Sequence, residues 1–357
     1  MRSANRGSRF SVTFIVTIIR HHFSSLLVGS REEMMIRTLT AGLLVIFLAA
    51  APGASGQEYP TKPIRVLVPY APGGVVDTST RILTNKITER LGWQFVVDNR
   101  PGGNGFIAVG IAAKGAPDGY TLLSAHTGEF SVSPFVFKDV PFDLDRDFTA
   151  VVMLSDAPMI VVVNAKSPIN SFKDLVAAAR ARPGQLSFGS PGNGSVNHLA
   201  TEWLAMAAGI KLLHVPYKGG APAVSAVAAN EVVMTIAGLP GVTPHLQAKR
   251  VKVIGITTAK RSAQVRDYPT AQEGGIPGVD ASIWVGLFAP KGTPKAIVNK
   301  LFSVSAEMLR LPDVKERYGV VGGAETIGMP PAEFHARVKK DAERYRKIVH
   351  AAGIQPQ

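Results

Sequence analysis

Two glycine-rich turns hold the residue types best suited to chemistry in this chain. One is Pro72-Gly73-Gly74 within "VPYAPGGVVDTST", and the other is Ser190-Pro191-Gly192-Asn193-Gly194-Ser195 within "SFGSPGNGSVNHLA". Each leads from an apolar, strand-like run into a helical pattern. The first backbone N–H groups of a helix have no partner within it, and its dipole adds partial positive charge, so such a junction favours an anion. Gly73, Gly74, Gly192 and Gly194 let the backbone come close to a ligand, while Ser190, Ser195 and Asn197 add side-chain hydrogen bonds. Neither turn carries the Lys-Ser/Thr pair of a phosphate loop. Two such turns facing across a cleft suit one carboxylate, or the two ends of a diacid. Asp77 has two readings: a cap for its helix, or a group that orders the loop or meets an ammonium on the ligand.

Other chemistries find less support. Gly103, Gly105 and Gly110 do not have G-x-G-x-x-G spacing, which argues against a dinucleotide. His126, His198, His214, His245, His335 and His350 are scattered without H-E-x-x-H spacing, so no metal and no cofactor is expected. "GSPGNGS" is not G-x-S-x-G, and the sequence places no base beside a serine. His198, in the first turn of its helix, either supports the glycine loop or lines the cleft. The net charge of +13 is spread along the chain, and only 7% of residues are aromatic, so no platform for stacking bases is evident and no nucleic-acid partner is expected. The chain has no cysteine, which removes disulfides, a thiol nucleophile and a lipid-bearing thiol, and agrees with export.

These turns need elements to position them. Residues 40–51, "TAGLLVIFLAAA", follow Arg37 and precede "PGASGQ", which reads as a signal peptide cleaved after Gly56, with an upstream extension before Met34 or Met35. In the remainder, "IRVLVPY", "WQFVVDNR", "YTLLSAH", "MIVVVNA", "LSFGS", "KLLHVPY", "VVMTIAG" and "VKVIGITT" read as strands alternating with helices, the pattern of an α/β fold. The chain divides into residues 1–56 as leader, 57–157 plus 283–357 as a first lobe, and 158–282 as a second. The chain crosses between lobes near residues 157 and 282, and everything from 283 onward packs back on the first lobe.

The series "VPYAPGGVVDTSTR", "DNRPGGNG", "APDGYTLL", "GSPGNGSVNHLA", "HVPYKGGAPAV", "YPTAQEGGIPG" and "WVGLFAPKGTP" resembles, in order and over the whole mature chain, the Bug receptors of tripartite tricarboxylate transporters. The resemblance implies a two-lobed α/β periplasmic binding protein fold with the ligand cleft between the lobes. It implies no enzyme, but a monomeric periplasmic receptor that holds a small organic carboxylate. Its partners would be membrane transporter subunits, or a sensor kinase if the chain acts in signalling; an exported hydrolase is the third alternative. Carried onto this chain, the first pincer is Pro72, Gly73, Gly74, Val75, Val76 and Asp77. The second is Ser190, Pro191, Gly192, Asn193, Gly194, Ser195 and Asn197. Thr127, Gly128, Tyr217 and Lys218 join them, Lys218 being either a ligand contact or a solvated surface cation. Val75 and Val233 stand where the family often has polar residues, which favours plain mono- or dicarboxylates over amino acids.

Overall fold

The computed structural model describes residues 59–356. The predicted leader, residues 1–56, lies outside the described residues. Ten strands alternate with helices along the chain: β1 (Ile64–Val68), β2 (Phe95–Asn99), β3 (Thr121–His126), β4 (Phe148–Asn164), β5 (Ser187–Ser190), β6 (Leu213–Pro216), β7 (Met234–Gly238), β8 (Val251–Ile256), β9 (Ser282–Pro290) and β10 (Glu325–Met329). They hydrogen-bond in the order β2-β1-β3-β9-β4-β7-β5-β6, with β8 and β10 also on β4. Both faces of β4 are almost wholly buried, which is why it reads as a nearly continuous apolar run rather than an alternating one.

β4 is the spine of the molecule. From Phe148 to Pro158 it pairs antiparallel with β9, and from Met159 onward with β7, joined by β8 from Ile160. β1, β2 and β3 continue the first half in parallel, while β5 and β6 continue the second. Pro158 has no N–H to give to a ladder, and it falls at the last register pair with β9, Pro158 opposite Ser282, before the partner changes. The sequence marks only "MIVVVNA" as a strand here, because Ser155, Asp156 and Pro158 interrupt the apolar pattern. In the structure those residues are strand, with β9 and β10 beside them.

The final helix, Pro331–Ala351, departs from the expectation that everything after residue 282 packs with the first half. Helices Lys295–Arg310 and Pro312–Gly322 do share a core with β1 and helix Val75–Leu91, through Val298, Leu301, Val314 and Tyr318. Phe334 and Val338 of the last helix pack with Trp284 and Phe288 of β9. Its later turns put Tyr345, Ile348 and Val349 into the core of the second half, with Leu199 and Leu204. One amphipathic stripe thus serves both cores.

Where β4 meets β9 the backbone carries a buried charge cluster. Asp156 lies 3.6 Å from Arg337, and its Oδ1 is buried without a hydrogen-bond partner. Burial pushes its carboxyl up to about 6, against the pull of Arg337 and Ser282 and with the push of Asp341 and Asp280. A carboxyl raised above its unfolded value holds its proton more tightly in the fold, so its contribution to stability falls as pH rises from about 4 to 6 and stays lost above that. Asp156→Asn should therefore raise stability at pH 7 by roughly 1–2 kcal/mol, less than the full shift implies because part of the side chain meets solvent, and leave it unchanged near pH 4. Urea unfolding of both proteins at the two pH values checks this; an equal difference at both would refute it.

Candidate functional site

The second glycine turn follows β5 and opens the helix Val196–Ala208. Gly192 has φ 142° and Gly194 φ 69°, conformations that a side chain disfavours. A Cβ at Gly194 would also sit 2.9 Å from Val136. Ser195 caps the helix by accepting from the backbone N–H of His198 at 3.2 Å, and Asn197 anchors to β7 by donating to the Ile236 carbonyl at 2.8 Å. His198 lies beneath the turn, where its Nδ1 accepts from Gly194 N at 3.1 Å and its ring stacks 3.8 Å from that of His214. It is the loop support of the two readings the sequence leaves open.

Ser190 and His214 form a pair that spacing alone does not disclose: Ser190 Oγ is 2.7 Å from His214 Nε2. Nucleophile and base at this distance would suit a hydrolase, yet Ser190 has no exposed surface. Its oxygen accepts from Gly192 N at 3.1 Å. Burial, followed by the neighbouring His198, pushes His214 down to about 4, too weak a base for work at neutral pH. The pair braces the turn.

Residues Pro191 to Asn197 form one wall of a cavity of about 340 Å³, at the small end of the range for ligand sites. Opposite stand the polar side chains of Tyr70, Asn104, His126 and Ser133, with Val132, Phe137 and Ile283 supplying apolar surface. Of the residues singled out from sequence, the cavity gathers Gly128, Pro191, Gly192, Asn193, Gly194, Ser195 and Asn197. Tyr70, Asn104, His126 and Ser133 were not signalled: they come from separate segments, and nothing in their spacing links them.

The remaining candidates lie off the cavity wall. Pro72 and Gly73 are exposed, Gly74 and Val75 half-buried, and Val76 and Asp77 buried; their loop reaches the cavity through Tyr70. Asp77 does not cap its helix, whose N-cap is Gly74 without a side-chain bond. Its carboxylate accepts from Gly73 N at 2.9 Å, Arg81 Nε at 2.8 Å and Asn99 Nδ2 at 3.0 Å. Burial opposes its ionisation, but these bonds and the Arg81 charge together hold it below the usual carboxylate range. Asn99 in turn donates to the Tyr70 carbonyl, so Asp77 orders the first loop. Thr127 is buried, its hydroxyl accepting from Trp284 N at 3.0 Å. Tyr217 is half-buried, 3.2 Å from where a Cβ on Gly189 would stand, and Lys218 is exposed. Val233 precedes β7 at the end away from the cavity and borders a separate groove with Asn164, Arg182 and Lys249, so the specificity argument from that position has no geometric support.

Among the described residues no helix is long and apolar enough to cross a membrane. The sequence model for the tripartite tricarboxylate transporter family receptor matches residues 79–354, beginning just beyond the first glycine turn. Protein BugT of Bordetella pertussis is 32% identical over 87% of this chain and 96% of its own length. Among solved structures, Rpa4515 of R. palustris with adipate is 34% identical at a TM-score of 0.76, covering 84% of this chain and all of that one. MatC of Rhodopseudomonas palustris with bound malate is 29% identical at a TM-score of 0.70, covering 82% and 100%. A match of this extent places the protein plainly: the chain belongs to the tripartite tricarboxylate transporter family receptors, the periplasmic solute-binding proteins that include the Bug proteins.

Proposed function

We propose that this chain is a receptor that captures a small organic carboxylate in the cavity beside the second glycine turn and delivers it to tripartite tricarboxylate-type membrane subunits, after export by its N-terminal signal. The observation that carries this reading is the turn itself. Gly192 and Gly194 take conformations that bring backbone rather than side chain to the cavity wall, and the helix Val196–Ala208 begins there, which favours an anion. The apolar surface of Val132, Phe137 and Ile283 suits the carbon chain between or beside carboxylates. Adipate and malate in the related structures support the dicarboxylate class.

The lobes in this reading are residues 57–157 plus 283–357 and residues 158–282, closing on the ligand by a hinge where β4 and β9 exchange partners. The first glycine loop, Pro72 to Asp77, would meet the ligand only on closure, and Lys218 stays a surface cation. The working unit is a monomer.

A thermal-shift screen of the purified chain against small carboxylates, amino acids and nucleotides tests the reading, since a ligand of the folded form raises Tm by mass action. Dicarboxylates should raise Tm by several degrees at about 100 times Kd, and nucleotides should not. A shift with nucleotides or amino acids alone would overturn it.

A further inference from the structure

The wall opposite the glycine turn holds a buried ionisable group that the carboxylate reading does not use. Glu129, on the single π-helical turn Gly128–Val132, has no exposed surface. Its Oε2 accepts from the backbone N–H of His126 at 2.8 Å and lies 2.9 Å from His126 Nδ1. The Tyr70 hydroxyl donates to its Oε1, and the Tyr70 and His126 rings lie 4.8 Å apart. Two glycines make room for this trio. A Cβ on Gly105 would stand 3.0 Å from Glu129 Oε1, and one on Gly128 would stand 2.4 Å from His126 Cε1. The site is therefore built around these side chains.

The chemistry of the trio determines what His126 presents. Gly128 N–H also points at Nδ1, at 2.9 Å. The Gly128 N–H calls on Nδ1 to accept and the buried Glu129 carboxylate calls on it to donate; the charge-assisted bond is the stronger of the two, so the proton is on Nδ1 and the Gly128 N–H gives up that acceptor. Nε2 is then the ring nitrogen with no protein partner among the described residues, on a side chain that lines the cavity and is 16% exposed. In the neutral ring Nε2 only accepts; in the imidazolium it donates. We propose that His126 is a specificity-determining contact, whose Nε2–H donates to a second anionic acceptor on a ligand already held by one carboxylate at the turn Pro191 to Asn197, with Glu129 and Tyr70 as its positioning residues.

The proposal rests on the carboxylate-receptor reading. It predicts discrimination between a diacid and a monoacid of equal length, and discrimination that depends on the His126 proton. Burial disfavours the charged imidazole, but the Glu129 carboxylate outweighs it and raises the His126 titration above the ordinary value. Glu129 is correspondingly lowered: burial opposes its ionisation, and the charge and hydrogen bond of His126 and the bond from Tyr70 prevail. Glu129 is the charge that acts on the His126 titration; on the last helix, packed against the π-helical turn through Val338, Arg337 and Asp341 are paired with each other. Opposite His126 on β9 is Val285, and helix Phe106–Ala113 has no ionisable side chain. Asp77 of helix Val75–Leu91 is tied to Gly73, Arg81 and Asn99. The facing turn offers Asn193, Ser195 and Asn197, with His198 behind it engaged by Gly194.

Calorimetric titration of the purified chain with straight-chain diacids and with monoacids of the same lengths, between about pH 5 and 9, tests this. Adipate paired with hexanoate is the lead comparison. Below the His126 titration the diacid should bind about tenfold or more tighter than the monoacid, the size of a charge-assisted hydrogen bond, and the ratio should fall towards one above it. His126→Gln, whose amide N–H reaches about as far as Nε2, should keep part of the ratio and lose its pH dependence. His126→Ala should lose the ratio while monoacid binding persists. Glu129→Gln should move the pH midpoint down, read independently from the His126 ring signals by NMR. A ratio that is flat with pH in the natural protein, or unchanged in His126→Ala, overturns the proposal. Failure of every acid to bind overturns the carboxylate reading itself.

Discussion

Gly194→Val lowers affinity for the best carboxylate of the thermal-shift screen by about 100-fold or more, while the protein still unfolds cooperatively. The reasons are local. Gly194 has φ 69°, where a β-branched residue costs about 1–2 kcal/mol. The added Cβ also lies 2.9 Å from both Cβ and Cγ2 of Val136. The chain relieves both faults by re-routing the turn, which carries the helix-start N–H groups of Val196 and Asn197 away from the cavity wall. Gly110→Val is the control: it lies within the helix Phe106–Ala113, outside the cavity lining, and a Cβ there meets nothing within 4 Å, so its effect on affinity should stay within about threefold of the natural protein. Calorimetric titration decides the matter, and equal losses in the two variants would reject the second turn as the main anion grip.

Phe334→Ala should destabilise the protein by about 3–5 kcal/mol, the cost of emptying a large buried ring site. Phe334 has no exposed surface; its ring is edge-on to Trp284 with centroids 5.2 Å apart and 5.1 Å from Phe288. The site cannot easily collapse, because Gly286 on β9 already allows the ring in so closely that a Cβ there would lie 2.3 Å from Phe334 Cζ. Phe334 also pins the start of a helix whose far end serves the second core, so the variant should loosen both halves. Urea unfolding monitored by tryptophan fluorescence and by ligand-dependent protection reads both effects, and a loss below about 1 kcal/mol would contradict this packing account.

The sequence exposes those parts of the site that depend on local backbone rules. Gly192 and Gly194 are visible because positive φ and a helix start leave a compositional mark, and β1 and β5 are visible as short apolar runs, one ahead of each glycine turn. His126, Glu129 and Tyr70 are invisible because their relation is tertiary. Tyr70 stands 59 residues from Glu129, and Glu129 reaches back to His126, the last residue of β3, from a π-helical turn that no periodicity announces. The reading of Val233 failed for a similar reason: the sequence shows a strand but not which of its ends faces ligand. Asp77 looked like a helix cap by position, yet Gly74 takes that place and Asp77 reaches back to Gly73. The unbroken β4 was hidden by Pro158, which the sheet tolerates because pairing changes there.

The position of β9 bears on the order in which the sheet can be assembled. β9 lies between β3 and β4 in the sheet, so residues such as Thr127 and Trp284, 157 positions apart, are hydrogen-bonded neighbours. As a ribosome releases the chain from its N-terminus, β1, β2 and β3 can pair with one another, but they join β4 only through β9, after the entire second half has been made. Such long-range pairing folds slowly. The complete sheet therefore closes only once residues 282–290 are free to pair, whatever the order in which the other strands form.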